Sequence, residues 1–230
     1  MEKLIVANWK MNPEDVSKAR EIAFFSDQGG VILCPPVIFL NEVKKEIKKA
    51  TIGAQDVFWE RKGSFTGETS ALMLKNIGCK YVIIGHSERR RNLKEDNSII
   101  EKKMKALIEE GITPILCIGE TREERDKKEA EKIVAEQLSI IPKSTEVIIA
   151  YEPVWAIGSG DSCDWELAKE MRSFISDSFK GRFSKILYGG SVNSENCSDY
   201  LEKSLFDGLL VGSASLDPQE FKKIIEKALN

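Results

Sequence analysis

The sequence predicts an α/β protein folded as a single-domain (β/α)8 barrel, with its active site at the C-terminal ends of the strands. Runs of apolar, β-branched residues alternate with amphipathic runs through the whole length, and there are eight of each. Over 230 residues this gives about 29 residues per repeat, the size of one βα unit in such a barrel. The apolar runs are near-continuous Val, Ile and Leu, as in parallel strands buried on both faces.

The expected strands are Leu4–Ala7, Val31–Cys34, Thr51–Ala54, Tyr81–Ile84, Pro114–Ile118, Val147–Tyr151, Lys185–Tyr188 and Leu209–Val211. The helices expected between and after them lie near Asp15–Phe25, Leu40–Lys49, Ser70–Asn76, Asn97–Glu109, Arg122–Leu138, Trp165–Phe179, Glu195–Lys203 and Gln219–Leu229. No linker or composition break interrupts them, so residues 1–230 read as one domain. A doubly wound open sheet is the competing architecture, and it usually places a glycine-rich turn after the first strand. Here that strand runs into Asn8-Trp9-Lys10-Met11-Asn12-Pro13, which has no glycine.

Composition narrows the function. The chain is 42% hydrophobic and 31% charged, with net charge -3, so no overall field favours nucleic acid or an acidic membrane as partner. No apolar stretch is long enough to span a bilayer, and the N-terminal residues do not read as a signal peptide. The five cysteines are far apart and there is one histidine, which argues against a metal set or a disulfide framework. A reducing, cytoplasmic setting is expected. Arg89-Arg90-Arg91 is a pure basic triplet without interleaved aromatics; pairing with Glu88 or Glu95 fits it better than nucleic acid. The run Arg122–Glu129 reads as a solvated face.

In a (β/α)8 barrel the residues just past each strand converge on one face. Here they are Asn8 and Lys10 after the first strand, and Gly85-His86-Ser87-Glu88 after the fourth. Gly119-Glu120 follows the fifth and Glu152 the sixth. Gly189-Gly190-Ser191 follows the seventh, and Gly212-Ser213 the eighth. Each has a plainer reading: a surface lysine, a strand-ending asparagine, a structural histidine, ordinary tight turns. Together they describe a pocket. Ser87 is a candidate N-cap, and a helix N-terminus beside His86 disfavours imidazolium, which leaves a neutral ring able to donate to a carbonyl oxygen. The glycine turns after the last two strands let backbone N–H groups point at an anion. A carboxylate base with an imidazole, an ammonium and a carboxamide fits proton abstraction beside a carbonyl. No serine or cysteine is paired with a base. After Glu152, Pro153 stops the strand, and the apolar segment Val154–Ile157 leads to Gly158 and Gly160, a loop suited to shutting out water.

Ala7–Asn12, Gly85–Arg90, Ala150–Gly158, Tyr188–Val192 and Leu210–Gly212 resemble, in order, the motifs of the triosephosphate isomerase family, from the first strand to the last. The resemblance implies a TIM barrel. It implies interconversion of dihydroxyacetone phosphate and D-glyceraldehyde 3-phosphate through an enediolate, without cofactor or metal, in glycolysis and gluconeogenesis. By motif position Glu152 is the base and His86 the electrophile. Lys10 supplies positive charge, and Asn8 helps hold the substrate. Gly158, Ser191, Gly212 and Ser213 stand where the family binds phosphate through backbone N–H groups, and Pro153 to about Cys163 is the closing lid. Glu88 and Cys117 match supporting positions around the site, and Glu95 a structural acid. Phe65-Thr66-Gly67-Glu68 resembles the family's protruding loop, which implies a homodimer with that loop beside the partner's Lys10 and Met11 region.

Two stretches depart from the family pattern. Ser213 stands where a second glycine is usual, and Asp161-Ser162-Cys163 replaces Lys-Thr-Ala-like residues. An acid at 161 opposes a bound dianion unless it points to solvent. The chain is also shorter than is usual in the family, which implies trimmed peripheral helices. A barrel acting on larger sugar phosphates and a non-catalytic phosphate sensor are the competing functions. The short apolar lid opposes the first, and the convergence of three reactive side chains opposes the second.

Overall fold

The computed structural model describes residues 3–142, 145–156, 163–178, 185–203 and 205–229. Its strands are β1 (Leu4–Asn8), β2 (Val31–Cys34), β3 (Thr51–Ala54), β4 (Tyr81–Ile84), β5 (Thr113–Ile118), β6 (Ile148–Tyr151), β7 (Ile186–Tyr188) and β8 (Gly208–Val211). Each lies within one residue of its expected range. They form one closed parallel barrel in sequence order, and β8 returns to β1 with Ala7 opposite Val211. Closure leaves no strand edge exposed.

The two-residue period of the strands divides the core into two layers. Val6, Ile32, Ile83, Ile115, Cys117, Ile148, Ala150, Leu187 and Leu210 fill the barrel interior. Their neighbours, among them Ile5, Ala7, Leu33, Val82, Ile84, Leu116, Ile149 and Val211, pack outward against the helices. A strand buried on both faces has no polar side, which is why these segments show no polar alternation in the sequence.

The helices are α1 (Val16–Phe25), α2 (Leu40–Glu46), α3 (Ala71–Ile77), α4 (Ser87–Leu93), α5 (Asn97–Glu109), α6 (Arg122–Asp126), α7 (Ala130–Leu138), α8 (Trp165–Ser178) and α9 (Pro218–Leu229). Side chains start several of them: Asp15, Ser70 and Asp96 accept the N–H groups of Lys18, Met73 and Ile99. Four features differ from the sequence reading. The expected helix Arg122–Leu138 is two, because α6 buries none of its charged residues and Lys128 turns left-handed between them at φ 60°. The helix starting at Leu40 stops at Glu46. Beyond it Asp27 accepts the N–H groups of Lys48, Lys49 and Ala50. Helix α4 is absent from the eight expected ranges, although the reading of Ser87 as an N-cap anticipated its start. After β7, the expected Glu195–Lys203 helix becomes a short π-helical turn, Asp199–Lys203. The side chains of Asn193 and Asn196 hold the residues before it in turns.

Candidate active site

Asn8, Lys10, His86, Glu152, Gly189 to Val192, Leu210, Gly212 and Ser213 line one pocket at the C-terminal ends of the strands. Asn8, Lys10, His86, Glu152, Gly189 to Ser191, Gly212 and Ser213 are thus brought together as anticipated, while Gly85, Ser87, Glu88, Gly119 and Glu120 do not line this pocket. Glu120, although it follows β5, is fully buried outside the pocket. There it accepts from Arg125, Tyr151 and Trp155 at 2.7, 3.2 and 3.2 Å. Residues 157–162 of the anticipated lid, Gly158, Gly160 and Asp161 among them, lie outside the described residues.

Asn8 ends β1, and its Oδ1 accepts the Lys10 N–H at 3.1 Å. Lys10 sits in the left-handed region at φ 54°, which for a non-glycine residue costs about 1–3 kcal/mol. Gln55 helps to hold that conformation. Its Nε2 donates to the carbonyls of Lys10 and Cys34, both at 2.8 Å. The Lys10 ammonium lies 2.7 Å from Glu88 Oε1. Burial raises the Glu88 pKa, but the bond to Lys10 and the charges of Lys10, His86 and Arg91 together outweigh it and the net shift is downward.

His86, rather than Ser87, is the N-cap of α4: its Nδ1 accepts the Glu88 N–H at 3.2 Å. This fixes the tautomer. With the Nδ1 lone pair engaged, a neutral ring carries its proton on Nε2, which faces Glu152 Oε1 at 3.1 Å. Burial lowers the His86 pKa, while the carboxylates of Glu152 and Glu88 raise it more, so the balance lies above the ordinary histidine value. A second ring proton would have to enter at Nδ1, against the Glu88 N–H.

Glu152 is buried at the end of β6. Its N–H donates to Ile118 O at 2.7 Å, and its Oε2 accepts the Ser87 N–H at 3.3 Å. Gly119 permits this placement, because a methyl group there would overlap the Glu152 carbonyl. The Gln137 amide grips Gly119 on both sides, accepting its N–H at 2.7 Å and donating to its carbonyl at 3.1 Å. Beyond Glu152 the turn Val154–Ala156 is held by Val154 N–H to Glu120 O and by Trp155 to the Glu120 carboxylate. The Arg122 guanidinium lies over the Trp155 ring at 3.9 Å.

On the far side of the pocket, the Ser191 N–H donates to Ala156 O at 3.0 Å, and the Ser191 carbonyl accepts from Asn196. Gly212 leads into a 3-10 turn, Ser213–Leu216, where Ser215 donates its hydroxyl to the Gly212 carbonyl at 2.6 Å. Ser213 does not have a positive φ, so a side chain fits there without strain.

Beside the site, Lys103 is only 2% exposed and binds Asp56 at 2.7 and 2.9 Å and Glu95 at 2.6 Å. Arg89 contacts the same two acids at 2.8 and 2.7 Å. Burial pushes the Asp56 pKa up despite these cations. At Glu95 the bonds from Arg89 and Lys103 overcome burial and draw it down. The basic triplet therefore pairs with Glu95 through Arg89, while Glu88 belongs to Lys10. Among the described residues there is no group of three or more His, Cys, Asp or Glu placed to hold a metal.

Sequence reasoning missed Gln55, Gln137, Ser215, Asp56 and Lys103. Only Lys103 carried a local signal, a lysine on the apolar stripe of an amphipathic helix, where Ile100, Met104 and Leu107 are also buried.

A model of the family "Triosephosphate isomerase" matches residues 3–228. The chain is 41% identical to triosephosphate isomerase of Dictyoglomus turgidum, over 97% of this chain and 98% of that one. It is 42% identical to that of Dictyoglomus thermophilum, over 97% and 98%, and 40% identical to that of Aquifex aeolicus, over 98% and 99%. With a family match across nearly its whole length and relatives at this identity, the chain belongs to the triosephosphate isomerase family.

Proposed function

We propose that this protein interconverts dihydroxyacetone phosphate and D-glyceraldehyde 3-phosphate by proton transfer through an enediolate, in glycolysis and gluconeogenesis. One observation carries the reading: a buried carboxylate, Glu152, faces a histidine whose other nitrogen is locked as an acceptor, in the pocket that Lys10 and the β7 and β8 turns also line.

In this reading Glu152 takes a proton from the carbon bearing the hydroxyl group, and electrons shift onto the neighbouring carbonyl oxygen. His86 donates through Nε2 to the developing oxyanion, and Lys10 balances its charge. Protonated Glu152 then returns the proton to the adjacent carbon, and one proton passes between the two substrate oxygens. Substrate placed between Glu152 and His86 separates the ring from its nearest carboxylate, which favours the neutral donor form. Asn8 holds both the substrate and the Lys10 turn. Backbone N–H groups of Ser191, Gly212 and Ser213 grip the phosphate; by family position Gly158 joins them. For Ser191 this requires release from Ala156. No cofactor or metal takes part.

The reading extends to assembly and setting. The whole chain acts as one domain and pairs as a homodimer through the Phe65–Glu68 loop, set against the partner's Met11 region. Phe65 is 43% exposed and Met11 92% exposed, which is a reason to cover both. A net charge of -3 gives no overall field toward nucleic acid or an acidic membrane, so neither is proposed as a partner; no helix among the described residues is long and apolar enough to cross a membrane. A role on phosphorylated trioses of central metabolism places the protein in the cytoplasm.

A coupled assay of triose phosphate isomerisation tests the activity. The purified protein turns over both substrates, and Glu152→Gln loses about 10²–10⁴-fold or more in turnover. Normal turnover in that variant removes Glu152 as the base. Sedimentation of Phe65→Glu, expected to shift the protein to monomer, tests the assembly.

A further inference from the structure

The β7 loop and the β8 turn approach the pocket from separate strands, and something must set the gap between them. Helix α9 begins at Pro218, five residues after Ser213, so it is continuous with the β8 side. From its first turn, Glu220 reaches across to the β7 loop. Its Oε1 accepts the Ser194 N–H at 2.6 Å and its Oε2 accepts the Ser194 hydroxyl at 3.0 Å. Two turns along the same helix face, Lys227 donates to the Ser194 carbonyl at 2.7 Å. Ser194 is thus held at its N–H, its hydroxyl and its carbonyl by one helix.

From that fixed point the loop runs back to the pocket. Asn193 and Asn196 lock the turn around Ser194: Asn196 Oδ1 accepts the Asn193 N–H at 2.9 Å, and Asn193 Oδ1 accepts the N–H groups of Glu195 and Asn196 at 2.9 and 3.0 Å. Asn196 Nδ2 donates to the Ser191 carbonyl at 3.0 Å. An acid in the first turn of a helix ordinarily serves the helix dipole alone. Here Asp217 caps α9, accepting from Gln219 and Glu220, and both carboxylate oxygens of Glu220 are directed at the neighbouring loop.

We infer that Glu220 is a positioning residue for phosphate binding, which fixes the spacing between the Ser191 side and the Gly212–Ser213 side of the pocket by clamping Ser194 to α9. The inference rests on the phosphate site assigned under the proposed function. It deepens that reading by naming a residue that contacts no substrate and yet sets affinity for the phosphate group.

The test uses inorganic phosphate as a competitive inhibitor of the full-length protein. In Glu220→Ala the inhibition constant and the KM for triose phosphate rise together, by about 5- to 10-fold, as expected for losing charge-assisted bonds that organise a binding loop. Glu220→Gln restores both to within about twofold, because its amide still accepts the Ser194 N–H and donates to the hydroxyl. If Glu220→Ala lowers the melting temperature but leaves the phosphate constant unchanged, the clamp is only structural and the inference falls. Should Glu220→Ala fail to fold, Ser194→Ala removes one of the two bonds, and an unchanged phosphate constant there has the same meaning. Absence of competitive inhibition in the unaltered protein overturns the phosphate site itself, and this inference with it.

Discussion

Glu152 Oε1 lies 3.1 Å from His86 Nε2, and this contact governs how the only histidine of the chain titrates. Burial lowers the ring pKa, and the Glu152 carboxylate is the largest influence raising it. Glu152→Gln is expected to lower the His86 pKa relative to the unaltered protein. The ring proton signals of a one-histidine protein read this by NMR without ambiguity. The sign for stability follows from the raised value. The folded state holds the proton more tightly, so the stabilisation is complete below the ordinary histidine pKa and is lost as pH rises through the folded one. That slope flattens in Glu152→Gln. A His86 pKa that stays put or rises in the variant overturns the account.

Lys103→Met leaves Asp56 and Glu95 with only Arg89 between them. Breaking a buried ion pair by removing one partner costs about 3–5 kcal/mol, and urea denaturation should report a loss of that order. The double change Lys103→Met with Asp56→Asn removes one stranded charge and recovers part of it. A loss below about 1 kcal/mol for the single change, typical of exposed pairs, would show that the cluster is effectively solvated.

Gln55→Leu tests how the left-handed turn at Lys10 is held. The substitution keeps the volume and removes two donated hydrogen bonds, so kcat/KM for triose phosphate falls by about tenfold while the fold persists. Unchanged kinetics would mean that Asn8 and Glu88 suffice to place the ammonium.

Gly119→Ala drives a methyl group into the Glu152 carbonyl, and the strand end carrying the base must shift. A displacement of about 1 Å at a reacting group costs about 10²-fold in turnover. Near-native far-UV circular dichroism together with that loss is the expected result. Full activity would show that the β6 end yields without moving the carboxylate.

The barrel was legible in the sequence because a two-sided buried strand leaves an unbroken apolar run, and all eight runs were present. Asn8, Lys10, His86 and Glu152 were legible for a related reason: a polar residue that ends such a run must lie at the barrel mouth. Glu120 shows the limit of that rule. It ends β5 as Glu152 ends β6, but Arg125, Tyr151 and Trp155 draw it away from the pocket. The break between α6 and α7 was hidden by continuous helix-forming residues, since only tertiary packing reveals that α6 has no apolar face to bury. Gln55, Gln137 and Glu220 act through bonds to residues 18 to 45 positions away, and sequence periodicity holds no trace of such pairs.

All five cysteines are free and buried. Burial pushes the thiols of Cys79 and Cys163 up to about 11 and about 12, away from the reactive thiolate form. The folded molecule is therefore shielded from air oxidation, whereas an unfolded one exposes every thiol at once. Heat inactivation in aerated buffer is expected to follow the opening of the barrel and to slow or become less complete when reductant is added.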